Sequence, residues 1–169
     1  MKVIPLHGAK AAGRVALVDD EDYDLVMQYH WIFWEYDRPS GGKVGPYAIA
    51  NVPGARRGTT IYMHKLLTGY RQTDHENHNG LDNQRRNLRD ATTRQNLQNA
   101  RKHAGSHSSR FKGVTWVERR NRWWARIKAD GKVRHLGYFH TEDAAAEAYN
   151  AAALEHFGEF ACLNEVTAA

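Results

Sequence analysis

The chain lacks most of what would place it in an oxidising compartment or a membrane. Its 169 residues hold a single cysteine, Cys162. That excludes a disulfide framework and a cysteine-based zinc finger, and suits a reducing cytoplasm. No apolar run approaches the ~20 residues of a membrane-spanning helix, so no membrane partner is expected. The opening MKVIPLHGAK carries no apolar stretch of the signal-peptide kind. No heptad or long apolar stripe offers a face for dimerisation, so a monomer is expected. Acids are scarce where bases are dense. Residues 84–140 carry fifteen Lys or Arg against three acids, Asp90, Glu118 and Asp130. Residues 1–83 hold nine bases and ten acids, and residues 141–169 hold six acids and no base. Charge meant only for solubility would be scattered. This segregation points to a surface for a polyanion.

Residues 1–70 read as a small α+β layer. Val3 to Leu6 and Arg14 to Val18 suit short strands. DDEDYDLVMQY suits a short helix with acids near its positive end. WIFWEYD and PYAIANV suit strands separated by the turn-rich PSGGKVG. Trp31, Phe33 and Trp34 are expected in the core.

Residues 74–99, DHENHNGLDNQRRNLRDATTRQNLQN, carry the densest chemistry. Asp74 and His75 are adjacent, an Asn- and Arg-rich loop follows, and Asn96 falls in the first turn of an expected helix. Thr92 with Gln95 three residues on is a capping-box pattern. Asn96 and Asn99, three apart, share a helical face. The residue types suit phosphodiester hydrolysis. His75 titrates near neutral pH and can serve as the base. Asp74 and Asn96 offer hard oxygens to one divalent cation and leave room for phosphate and water. Adjacent residues of a regular strand face opposite ways, so the strand is expected to break or twist at Asp74–His75.

These residues resemble the His-Asn-His (HNH) endonucleases, in their phage and mobile-intron homing branch. The resemblance implies a ββα-metal hairpin with His75, Asn87 and Asn96 at the motif positions. It gives Asn87, with Asn83 as the alternative, the task of tying the loop across the hairpin. The family's third His is Asn here, which favours Mg²⁺ (or Mn²⁺) over Zn²⁺. His64, in IYMHKLLTG, also matches a family position, as a scaffold histidine rather than a catalyst. His78 lies in the loop.

Residues 104–110, inside the polar and basic run ARKHAGSHSSR, read as a linker between residues 1–103 and 111–169. The hairpin core spans about 70–103. In the last segment FKGVTWVERR, NRWWARIKAD and KVRHLGYFH read as three strands, with turns at Arg120-Asn121 and Asp130-Gly131. TEDAAAEAYNAAALEHF reads as one helix, with Thr141 as N-cap and Gly158 as its stop. In the middle strand Arg122, Trp124, Arg126 and Lys128 share one face, and Trp123, Ala125 and Ile127 share the other. The second face suits packing on the Ala-rich helix. The first is a basic surface of the sort a sheet presents to a major groove.

FKGV, WWARI, LGYF, AAAEAYNAAA and the late Leu163-Asn164 are similar to the ethylene-response-factor (apetala-type) DNA-binding domain of plants. That resemblance implies a three-stranded antiparallel sheet packed on one helix, with Lys112, Thr115, Arg126, Lys128 and His135 toward DNA. Thr115, Arg126 and His135 depart from the plant residues, so the plant target sequence does not transfer. The overall expectation is an α+β chain: a small α+β layer with an HNH hairpin, a linker, then sheet on helix. The expected activity is site-specific, one-metal cleavage of double-stranded DNA, of the homing type and nicking. Arg85, Arg86, Arg89, Arg94, Arg101 and Lys102 would grip phosphates, and Arg122 and Arg134 would join the sheet contacts. Two other readings stay open: a DNA-binding regulator with an inactive hairpin, and an RNA-binding protein, which the deep RNA groove disfavours.

Overall fold

A computed structural model describes residues 1–37, 39, 42–102 and 105–166. The chain is α+β, with four small antiparallel sheets and few helices. It divides into two compact units, Met1–Asn96 and Leu97–Ala169.

In the first unit β1 (Lys2–Pro5) pairs with β2 (Val15–Val18). The acidic run then forms a 3-10 turn, Asp20–Asp22, and the single-turn helix α1 (Tyr23–Val26). A three-stranded sheet follows: β3 (Ile32–Asp37), β4 (Lys43–Asn51) and β5 (Thr60–Tyr62), in the order β3-β4-β5. Strand β4 reaches back into the stretch expected to be a turn. Helix α2 (Met63–Thr68) comes next and ends on Gly69 in the left-handed region. The hairpin strands β6 (Thr73–His75) and β7 (Leu88–Asp90) follow, then helix α3 (Thr93–Asn99), whose last three residues fall in the second unit.

The core of this unit gathers Ile4, Val18, Val26, Trp31, Phe33, Ala48, Ala50 and Met63. Trp31 and Phe33 are buried as expected, and the Trp31 indole donates to the Val26 carbonyl at 2.7 Å. Trp34 does not join them. Strand alternation turns it to the other face of the sheet, where it is half-buried beside Tyr47 and Tyr62.

In the second unit β8 (Val114–Val117), β9 (Arg122–Ala129) and β10 (Lys132–Phe139) form a sheet in the order β10-β9-β8, and α4 (Glu142–Phe157) packs on it. Asn121 and Asp130-Gly131 supply left-handed residues at the two turns. Thr141 caps α4 by accepting from the Ala144 N–H. Ala125, Ile127 and Ala129 are buried, and the small Ala145, Ala146, Ala152 and Ala153 of α4 let helix and sheet approach closely. Gly113 is required where this sheet and helix meet. Its φ is +76°, and a side chain there would overlap the Tyr149 ring and the Arg126 carbonyl.

The described part of the linker, residues 105–110, is held to this second unit instead of running free. Lys102 Nζ donates to the carbonyls of Ser109 (2.9 Å) and Phe111 (2.8 Å), Ser108 Oγ accepts from the Trp116 N–H, and the Arg110 N–H donates to Glu142. Residues 103 and 104, where linker and first domain were expected to meet, lie outside the described residues. Among the described residues no helix is long and apolar enough to cross a membrane.

Candidate active site

The hairpin strands pair in register, Thr73 with Asp90, Asp74 with Arg89 and His75 with Leu88. The strand therefore does not break at Asp74–His75. It runs regularly through the pair and turns directly afterwards, where the His78 N–H meets the His75 carbonyl and His78 adopts φ +63°. Regular pairing sends the two side chains to opposite faces. Asp74 meets the Arg89 guanidinium, whose Nε and Nη2 both donate to Asp74 Oδ2 at 2.9 and 2.7 Å. His75 meets an aromatic wall of His64 and Tyr47. Both residues of the pair are buried, at 7% exposure each.

The loop between β6 and β7 is knitted by its own amides. Asn87 Nδ2 donates to the Asp82 carbonyl at 2.7 Å, and Asn87 Oδ1 accepts from the Asn77 N–H at 3.0 Å. Asn77 Nδ2 reaches Asp82 Oδ2 at 2.8 Å. Gly80 sits where a Cβ would overlap the Pro46 carbonyl and the Tyr47 ring, so the loop lies flat on β4. Asn83, the alternative for the tying task, is fully buried, and its Oδ1 is 3.5 Å from His75 Nε2. Its Nδ2 has no hydrogen-bond partner among the described residues. In the tautomer with the hydrogen on Nε2, Asn83 Oδ1 accepts from it and the basic lone pair lies on Nδ1. Burial pushes the His75 imidazole below its ordinary pKa, against the pull of Asn83 and of the Asp74 and Asp82 carboxylates.

Asp19 and Asp22 serve the hairpin. Asp22 is buried and accepts from Arg85 Nε (2.9 Å) and Nη2 (2.6 Å), and Asp19 accepts from the Arg85 N–H (2.8 Å). Arg85 and Arg89, expected at phosphates, thus have guanidiniums engaged within the fold. Arg86 and Arg94 are exposed. Helix α3 begins with the expected capping box: the Thr92 N–H donates to Gln95 Oε1 at 2.8 Å, and the Gln95 N–H donates to Thr92 Oγ1 at 3.2 Å. Gln72 and Thr93 exchange hydrogen bonds at 2.9 and 3.1 Å, tying the first turn of α3 to the residue preceding β6. Asn96 is half-buried on this helix and Asn99 is buried.

Among the described residues no group of three or more His, Cys, Asp or Glu side chains stands together as a metal cage. The donors of β6 and α3 are one carboxylate and one carboxamide. As ligand types, two hard oxygens suit Mg²⁺ or Mn²⁺ where phosphate and water can fill the shell, and here Asp74 Oδ2 already accepts from Arg89. They do not fit a closed zinc site.

On the second unit Arg126, Lys128, Arg134 and His135 are exposed, and Thr115 and Arg122 are half-buried. The Arg126 guanidinium lies 4.7 Å over the Trp124 ring, and the Trp124 indole N–H donates to His135 Nδ1. Arg101 is exposed. Lys112 is elsewhere occupied: its Nζ donates to the carbonyls of Gln98 (2.7 Å) and Ala100 (2.6 Å), and burial lowers its pKa. Lys102 behaves likewise through Ser109 and Phe111. Both ammoniums cap carbonyls, and both side chains are half-buried.

Residue patterns did not single out Tyr47 and Tyr62 beside the site, or Asp19 and Asp22 as anchors. The first two come from distant strands, and the acids looked like ordinary helix-start residues.

The hairpin, with its buried Asp-His pair, amide-knitted loop and capped helix, forms a ββα unit, and sequence comparison gives the family of the chain. Over 157 residues, 93% of this chain, the protein is 32% identical to an uncharacterized HNH endonuclease of Acanthamoeba polyphaga mimivirus, of which it covers 78%. The chain belongs to the HNH endonuclease family. A stretch of 72 residues, 43% of the chain, is 40% identical to an AP2-like ethylene-responsive transcription factor of Arabidopsis thaliana. A stretch of 59 residues, 35% of the chain, is 44% identical to an APETALA2-like protein of Oryza sativa. The chain spans only 15% and 14% of the lengths of these two plant proteins. No family model and no solved structure matches the chain.

Proposed function

We propose that this chain is a site-specific endonuclease that hydrolyses one strand of double-stranded DNA. The reading rests on one observation above the rest: in a chain of the HNH family, His75 and Asp74 end a strand whose loop is knitted by Asn87 and whose helix carries Asn96. His75 Nδ1 takes the proton of the attacking water. Its depressed pKa keeps it unprotonated, and so available as a base, at neutral pH. Asp74 and Asn96 would hold a Mg²⁺ or Mn²⁺ ion, whose charge supplies stabilisation of the phosphate and the leaving oxygen. Arg86, Arg94 and Arg101 meet phosphates. The second unit meets DNA through the outer face of its sheet, where Arg122, Arg126, Lys128 and His135 share one surface with Trp124, while Arg134, opposite Ile127 on the other face, stands exposed at the end of the sheet. Phosphate contacts set the position and base contacts set the sequence. With one hairpin per chain, a monomer nicks once per binding event, in the manner of a homing enzyme.

Two observations favour a second reading, a DNA-binding regulator with an inert hairpin: Asp74 and His75 leave a regular strand on opposite faces, and the Arg89 guanidinium occupies Asp74 Oδ2. A divalent cation at Asp74 must share that oxygen or shift the arginine. Incubation with long supercoiled DNA, with Mg²⁺, Mn²⁺ or EDTA, separates the two. The nuclease yields nicked circles at mapped sites with either metal and none in EDTA. Intact circles that are retarded in a gel would establish the regulator.

A further inference from the structure

His64 is buried at the start of α2, and nothing in the chemistry above uses it. Its ring centroid is 5.1 Å from that of His75 with the planes at 87°, so the edge of one ring meets the face of the other. Tyr62 stacks on His64 at 5.3 Å and 30°. Tyr47 touches both imidazoles, at 5.4 Å from His64 and 6.0 Å from His75, and Trp34 backs both tyrosines at 6.3 and 6.2 Å. The candidate base therefore stands at the end of an aromatic box built by β3, β4, β5 and α2. Its approach to Asn83 Oδ1 is 3.5 Å long, too long to fix the rotation of an imidazole by itself. General-base catalysis requires that rotation to be fixed, because the lone pair must point at the water.

We propose that His64 is a positioning residue: with Tyr47 and Tyr62 behind it, its ring is the wall that holds the His75 imidazole with Nε2 toward Asn83 and Nδ1 toward the reacting water. The inference rests on His75 being the base. Phenylalanine keeps a planar wall, whereas leucine fills space without one and alanine leaves a gap.

The test compares His64→Phe, His64→Leu and His64→Ala in the full chain by two readouts. The first is the ¹⁵N tautomer signature of His75 in protein without metal or DNA. Wild type and His64→Phe should show the Nε2–H tautomer alone. His64→Leu and His64→Ala should show a mixture of the two tautomers. The second is DNA nicking. His64→Leu and His64→Ala should lose roughly 10–100-fold in kcat, the scale of a small misplacement. Their KM should stay within about twofold, since substrate contacts are untouched. His64→Phe should recover most of the rate. If alanine fails to fold, leucine decides. A single His75 tautomer and a wild-type kcat in His64→Leu would overturn the proposal, as would His64→Phe being impaired as deeply as His64→Ala. If wild type cuts no DNA, the nuclease reading fails, while the tautomer signature still decides whether His64 sets the ring.

Discussion

The hairpin and the second unit's sheet are rich in the same kinds of polar side chain and use them in opposite ways. In the hairpin Asp74, His75, Asn83 and Asn87 are buried, and Arg85 and Arg89 are held by carboxylates. On the sheet Arg126, Lys128, Arg134 and His135 stand exposed. Bond-breaking would need groups held before the substrate arrives, and burial with partners such as Arg89 for Asp74 and Asp82 for Asn87 holds much of the hairpin, Asn83 Nδ2 being an exception. Recognition of a polyanion needs cations that meet it from solvent, where desolvation costs little. A Lys or Arg on this chain is thus no guide to function until its surroundings are known.

The contrast can be tested in descending order of effect. His75→Ala should lower the nicking rate by about 10²–10⁴-fold with little change in DNA affinity, the usual scale for losing a general base; a rate near wild type would remove His75 from the chemistry. Arg89→Met should cost about 3–5 kcal/mol of stability in urea unfolding, because it leaves the Asp74 carboxylate buried without its cation. Arg126→Ala together with Lys128→Ala should leave stability nearly unchanged. The pair should flatten the log–log salt dependence of DNA binding by roughly 0.9 for each phosphate that is no longer neutralised. An unaltered slope would mean that the exposed sheet does not meet phosphates as assigned.

Acid should also discriminate between the two regions. Burial, helped by the nearby His75 and Lys65, pulls the His64 pKa down to about 3, and burial lowers that of His75 as well. The unfolded chain binds these protons near pH 6.5 and the folded chain does not. Stability is therefore full above that value and falls as pH drops from about 6.5 toward 3, by at most about 1.4 kcal/mol per pH unit for each such histidine. Melting temperatures measured from pH 7 to 4.5 should show this slope, reduced in His64→Phe. The smallest effect concerns the helix start: Thr92→Ala removes half of the capping box and should cost about 1 kcal/mol by thermal unfolding.

Much of this was legible in the chain itself. Local rules with short range gave the capping box at Thr92 and Gln95, the Thr141 cap of α4, the turns at Asn121 and Asp130-Gly131, and the inward Ala125 and Ile127 against the outward Arg126 and Lys128. Each depends on residues within a few positions of one another, so a window of sequence contains the whole cause. The break expected at Asp74–His75 did not occur, because cross-strand pairing with Leu88 and Arg89 outweighs any local tendency to twist. Trp34 was expected in the core and lies on the opposite face, one step out of phase with Phe33.

Composition and local pattern were enough for the α+β class, the segregation of charge, and the chemical types gathered at residues 74–99. The partners of those groups were chosen by tertiary packing. Arg89 faces Asp74, Asp22 holds Arg85, Lys112 turns to the carbonyls of Gln98 and Ala100, and His64 stands against His75. A charged or aromatic side chain has many possible neighbours of similar worth. Which one it meets is set by how whole strands and helices pack, where burial of apolar surface fixes the register and the polar groups take the partners that register leaves them.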